Sequence, residues 1–475
     1  MTSANFKKWN IILGWFTFAI ALITYTLTLE PTVSAWDVGE YISTAVKLEV
    51  GHPPGAPLFQ MLGAFFAMFT SDVAEIAKMV NFMSALASAF TILFMFWTIT
   101  LLLTKLVSLL NSEKDKEADN TKTSIISKSQ YTAILGSGLV GSLAFAFTDS
   151  FWFNAVETEV YAMATLIMSA LFWLALRWEQ DMDKPRGNRW LIIIAFVIGL
   201  SFGVHFMGLL TIPVIGLIYY FKNYKTVTVQ NFIIANVVSV AILLFVFKLL
   251  APNILKIFSV FEIFFVNSVG LPFNSGSIIA GLLLVGVIFY ALRYTRQKNY
   301  VHLNTSILCL TFVIIGFSTW LMLPIRANAN VVINENNPSS ARELLAYYNL
   351  EQYPETHLFY GPQFTDMYAY LDENNPYIDD KPKYEKDEEK GEYVIVNDYK
   401  DAKQNYNSEH ASILPRMWSG EHAENYMMFT GFLNFKLKPD YQMENELRKL
   451  VSDFRNNVAQ GNVDYEDYNA FIIFG

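Results

Sequence analysis

Charge is scarce in this sequence, and so is cysteine. Only 16% of its 475 residues are Asp, Glu, Lys or Arg, against about 25% in an ordinary soluble domain. The single cysteine, Cys309, lies inside an apolar run, so there is no disulfide framework to read. A Walker-type loop, an HExxH helix and a CxxC pair are all missing, and the chemistries they mark lose their simplest support. Acidic residues outnumber basic ones, 43 to 34, and no basic patch points to nucleic acid. No internal repeat with a clear period stands out either.

What the chain has instead is hydrophobic length. Apolar residues make up 53% of it. Long apolar runs occur at 11–29, 80–110, 131–148, 161–176, 190–221, 232–250, 277–292 and 305–323, with a shorter patch at 58–69. The remainder is polar and rich in Asn, Tyr, Asp, Glu and Lys. This division predicts an all-α polytopic membrane domain over residues 1–325, followed by a smaller, mixed α/β, extracytoplasmic region over 326–475. Run 11–29 follows Lys7 and Lys8 like a signal peptide. It exceeds the roughly 7–15 residues of a signal h-region, however, and reads as an uncleaved first helix. The short patch 58–69 reads as re-entrant or interfacial.

Run 190–221 is too long for one ordinary span. As a single helix it would rise roughly 48 Å, against a hydrocarbon core of about 30 Å. Split near Gly203-Val204-His205, it gives about nine spans. Basic segments 114–128, 177–189, 222–225 and 293–298 then share the cytoplasmic side with the N-terminus, as the positive-inside rule requires. The loop after the first span, the stretch 148–162, the turn at His205 and the exit 323–338 fall together on the outer face.

Those four stretches hold the unusual polar groups. Asp37 and Glu40 are spaced to share one helical face. Ser34, three residues earlier, reads as a capping box, with helix capping as the plain alternative role for Asp37. Prolines 53, 54 and 57 exclude a helix over 50–59 and make it a rigid turn that aims His52; capping a re-entrant segment is its alternative. Glu157 and Glu159 precede the next run, and on a helix they would point apart. His205, beside glycine, serves a site or an interhelical hydrogen bond. Arg326 follows the last run and either snorkels to headgroups or forks onto a phosphate. Carboxylates, histidines and an arginine converging on one membrane face suit sugar transfer. A carboxylate takes the acceptor proton, and a cation stabilises a leaving phosphate.

The segments WDVGEYI (36–42), GHPPGAPLF (51–59), VETEVYA (156–162), GVHFMGLL (203–210) and LPIRA (323–327) together resemble the protein O-mannosyltransferase-like membrane family, with LPRMWS (414–419) as a further block. The resemblance implies the GT-C glycosyltransferase architecture. It implies a polyprenyl-phosphate sugar donor, mannose or a similar hexose, used at the outer leaflet with inversion. A protein serine or threonine is the implied acceptor. Its essential acid maps onto Asp37, with Glu40 beside it. His52, Glu157, Glu159, His205 and Arg326 carry over as substrate-binding positions. The family's usual form has glycine before the acid, where this chain has Trp36. The implied setting is a bacterial inner membrane, with the site facing the periplasm or exterior.

Two other readings remain. One is a GT-C transferase acting on a lipid or glycan; the other is a transporter or flippase for lipid-linked sugars. No metal ligand set is assigned: a divalent ion suits acidic loops, but no ligand spacing demands one. In the tail, the charged run 379–401 reads as a solvated loop leading into an alternating strand at 392–397. The final residues YNAFIIFG look like the start of another apolar segment.

Overall fold

A computed structural model of the chain describes residues 3–117 and 126–353, most of 357–426, and scattered residues between 449 and 462. The segment YNAFIIFG, and Leu414 and Pro415 of LPRMWS, lie outside the described residues. The chain divides into two compact units, Met1–Gln352 and Tyr353–Gly475. Residues 326–352, grouped by composition with the polar tail, pack within the first unit.

The first unit is helical, as apolar segments in lipid must be to satisfy their own backbone groups. Its helices are α1 (Ser3–Leu27), α2 (Val38–Lys47), α3 (Pro57–Ala67), α4 (Ile76–Glu117), α5 (Lys128–Ala146), α6 (Asp149–Ala155), α7 (Val160–Asp181), α8 (Arg189–Ser201), α9 (Ile212–Asn223), α10 (Val229–Leu244), α11 (Ala251–Ile263), α12 (Ser275–Gln297), α13 (Val301–Phe317), α14 (Met322–Ala327) and α15 (Ala341–Tyr348). Among the described residues, seven helical segments are long and apolar enough to cross a membrane, or eight if α5 and α6, bent by 69°, form one span. The expectation of about nine counted α8. Its 13 residues rise only about 20 Å, short of the hydrocarbon core. Helix α3, at 11 residues, is also too short to span.

The break between α8 and α9 falls at 202–205, and the chain compensates for it. The freed carbonyl of Phe202 accepts Trp320 Nε1 at 2.8 Å, and that of Gly203 accepts the amides of Leu58 and Phe59 at 2.8 and 3.1 Å. A broken helix thereby anchors the N-terminus of α3, where the first amides have no partner within the helix. α8 crosses α13 at two glycines. A Cβ at Gly199 would lie 2.3 Å from the Val313 carbonyl oxygen, and one at Gly316 2.6 Å from the backbone at 196–200.

Helix directions place the polar groups. Trp97 of α4 bonds to Asn10 while Asn81 bonds to Glu30, so α1 and α4 are antiparallel. Asn81 meets Thr158 and Lys105 meets Glu179, so α4 and α7 are parallel. Asn188 meets Thr305 at one end of α8 and α13, and Phe202 meets Trp320 at the other. The C-termini of α1, α8 and α13 therefore gather at one end of the bundle with the N-termini of α4 and α7. The segments Val229–Ser268 and Ser275–Gln297 are apolar yet only 11% buried, the signature of lipid-facing helices.

In the second unit, six short strands pair as nested antiparallel partners: β1 (Tyr360–Pro362) with β6 (Ala411–Ile413), β2 (Tyr377–Ile378) with β5 (Lys403–Gln404), and β3 (Lys383–Asp387) with β4 (Glu392–Asn397). β4 is the strand that alternation predicted. The charged run before it is no loop: it supplies β3, with Lys383–Glu385, Lys390–Asp387 and Lys403–Asp380 ion pairs along the ribbon.

Candidate functional site

The loop after α1 is pinned before any site group appears. Asn81, fully buried in α4, donates to the carbonyls of Glu30 and Thr32 at 2.8 and 2.9 Å and accepts the Thr158 hydroxyl. Ser34 Oγ donates to Glu157 Oε2 at 2.6 Å. The capping box expected from Ser34 does not form, because its hydroxyl is spent on Glu157. Helix α2 starts later, with Asp37 at its N-cap, and the Asp37 carboxylate makes no capping bond.

Glu157 and Glu159 are both buried, and both face this loop. Helical geometry would have turned them apart, but they precede α7, and Glu159 is extended at its N-cap. The backbone N–H groups of Val160 and Asp37 face the Glu159 carboxylate. Burial, reinforced by the charges of Asp37 and Glu157, pushes its carboxyl up to about 7. Burial also raises Glu157, partly offset by the Ser34 hydrogen bond.

Glu40 and His52 form the tightest contact of the site. Glu40 Oε1 accepts the His52 backbone N–H at 2.6 Å, and Oε2 lies 2.8 Å from His52 Nδ1. Gly51 permits this approach, since a Cβ there would sit 2.6 Å from Glu40 Oε1. The hydrogen bond to Glu40 raises the His52 pKa against the effect of burial, helped by the charges of Glu40, Asp37 and Glu335. Burial works to raise Glu40, and its interactions with His52 outweigh that and lower it. On the far side of the ring, His52 Nε2 points at Asp37 Oδ2 across 3.9 Å. Asp37, Glu40 and His52 each offer a ligand atom within 4.8 Å of the others, so together they could hold a cation. Tyr41 packs against His52 and Phe59, with ring centroids 5.8 and 5.4 Å away. Burial and the surrounding carboxylates push its phenol up.

Arg326 and His205 reach the same end of the bundle with their polar atoms engaged in backbone capping. Arg326 donates from Nε to Leu48 O at 2.5 Å and from Nη2 to Lys47 O at 3.1 Å, closing the C-terminus of α2. It sets the helix that carries Glu40. His205 Nδ1 accepts the Met207 N–H at 3.1 Å, capping the turn that opens the next span. Burial lowers the pKa of His205, which disfavours the cation a phosphate would want. The sequence reading passed over Asn81, Tyr41, Glu335 and Tyr347. Tyr347 donates to Gly51 O at 2.6 Å, while Val50 bridges to Asn334. Asn81, a lone amide inside an apolar run, carried a readable signal; the others did not.

Residues 37–228 match the family described as "Protein O-mannosyl-transferase TMEM260 N-terminal domain". This region is O-mannosyltransferase-like. It is 26% identical over 171 residues to a Dictyostelium discoideum protein named "Protein O-mannosyl-transferase tmem260", covering 36% of this chain and 17% of that protein. It is 28% identical over 184 residues to a Mus musculus protein named "Protein O-mannosyl-transferase TMEM260", covering 39% of this chain and 22% of that one. The match thus spans about a fifth of the length of these relatives. Residues 354–451 match a family of unknown function, DUF8416. No solved structure matches the chain. The O-mannosyltransferase-like match begins at Asp37 and takes in Glu40, His52, Glu157, Glu159 and His205; Arg326 lies beyond it.

Proposed function

We propose that this protein is a membrane O-mannosyltransferase of GT-C type. It would move mannose or a similar hexose from a polyprenyl-phosphate donor to a protein serine or threonine. The observation that carries the reading is the state of Asp37. Its carboxylate caps nothing, is 58% exposed, and faces the imidazole that Glu40 holds. A carboxylate so placed can accept a proton from an incoming hydroxyl.

The acceptor oxygen attacks the anomeric carbon opposite the phosphate. The new C–O bond forms as the C–O bond to phosphate breaks, and the acceptor proton passes to Asp37. The configuration inverts, and polyprenyl phosphate leaves with the electron pair. His52, whose pKa the hydrogen bond to Glu40 raises, is the group placed beside Asp37 to meet the leaving phosphate. Lys7, Lys8, Arg293 and Arg296 lie toward the opposite end of the bundle from the site, which favours an extracytoplasmic site by the positive-inside rule.

The test is Asp37→Asn, purified and supplied with mannosyl polyprenyl phosphate and an extracytoplasmic acceptor protein, with intact-mass analysis of the acceptor. Transfer falls at least about a hundredfold, while the melting temperature stays near wild type because the side chain is exposed. Wild-type turnover by Asp37→Asn removes Asp37 from the mechanism. Movement of the lipid-sugar across a bilayer by the wild type, with no product, replaces the transferase with a flippase.

A further inference from the structure

Two buried glutamates grip the residues flanking Trp36. Ser34 is hydrogen-bonded to Glu157, and the Asp37 backbone N–H faces the Glu159 carboxylate. Between these clamps Trp36 takes φ +62°, in the left-handed region that penalises every residue with a Cβ. The protein gains no packing in return. The residue is 86% exposed, and its indole makes no ring contact with any described residue. The chain holds a large apolar ring in the open, on a fixed backbone, one residue before Asp37. Strain that local packing does not repay points to use by a ligand.

We propose that Trp36 is a platform for the donor sugar, its indole stacking on the C–H face of the pyranose while Asp37 meets the acceptor. The inference rests on the transferase reading above. A pyranose ring presents an apolar face and a polar rim, and indole is the side chain that matches it over the largest area. A ring already fixed in place loses little freedom when the sugar docks. Glu157 and Glu159 are then positioning residues, setting the angle at which the ring is shown. An exposed tryptophan at a bilayer boundary also serves as an interface anchor, and the experiment separates the two.

Wild type and Trp36→Phe are titrated with mannosyl polyprenyl phosphate and with polyprenyl phosphate lacking sugar, reading the difference in tryptophan emission. The platform requires a Trp36-dependent change with the sugar-bearing lipid and none with the bare lipid phosphate. In transfer assays Trp36→Ala raises the donor KM about five- to tenfold at near-unchanged kcat, and Trp36→Phe recovers most of the loss. An equal emission change with both lipids, or a wild-type KM for Trp36→Ala, overturns the proposal and leaves the transferase reading standing. A wild type that binds neither lipid and forms no product removes that reading, and this inference with it.

Discussion

Replacing Glu40 by Gln tests whether the Glu40–His52 pair organises the site. Glu40 holds His52 through two bonds, 2.6 Å to the backbone N–H and 2.8 Å to the ring, with both side chains about a quarter exposed. Glutamine still accepts the backbone N–H, so the loss falls on the ion pair. A charge-assisted hydrogen bond contributes roughly 1.5–3 kcal/mol; partial exposure puts the expected coupling near 2 kcal/mol. Glu40 is lowered, so its contribution is present above the ordinary 4.5 and lost as pH falls through its folded value. His52 is raised, so its contribution is full below the ordinary 6.5 and lost as pH rises through its folded value. The coupling is therefore largest between those two ordinary values. The assay is a double-mutant cycle of Glu40→Gln and His52→Gln, followed by thermal melting from acid to alkaline pH. Additive effects, or a coupling that stays constant into alkaline pH, would refute the pairing as the organising contact.

Glu159→Gln flattens the pH dependence of stability. The folded wild type keeps its Glu159 proton up to about 7 and the unfolded chain loses it near 4.5, so stability falls between those values as pH rises. The variant gains on the order of 2 kcal/mol over wild type at pH 8 and much less at pH 5, read by melting at both. Arg326→Ala removes two bonds to the carbonyls of Lys47 and Leu48 and costs about 2 kcal/mol without any donor present. An Arg326→Ala protein of unchanged donor-free stability would return the residue to phosphate binding.

Several features were readable from residue order because they depend on local pattern. The membrane helices followed from apolar length, the break near Gly203 from a run too long for one span together with the placement of basic segments, and β4 from a short alternating segment. The candidate site was readable only as a set of residues. Glu40 and His52 were both singled out, but their bond crosses a proline-rich turn whose path no periodicity predicts. Glu157 and Glu159 were separated on helical geometry, whereas the helix begins just after them. Arg326 had the right chemistry for a phosphate, yet two carbonyls 278 and 279 positions away in sequence claim it. Trp36 was visible as a departure from the family's glycine, and the left-handed backbone gives that departure a physical meaning.

The seam joining Val50 and Gly51 to Asn334 and Tyr347 also sets an order of events during synthesis. The acidic loop leaves the ribosome early, while its Tyr347 clasp arrives nearly 300 residues later. Until then the loop is held from one side, by Asn81 and the two glutamates. A nascent chain with α1 to α7 inserted already contains Asp37, Glu40, Glu157 and Glu159 but not Glu335 or the Tyr347 latch beside His52. The loop's second anchor therefore forms only once residues 334–347 have been made.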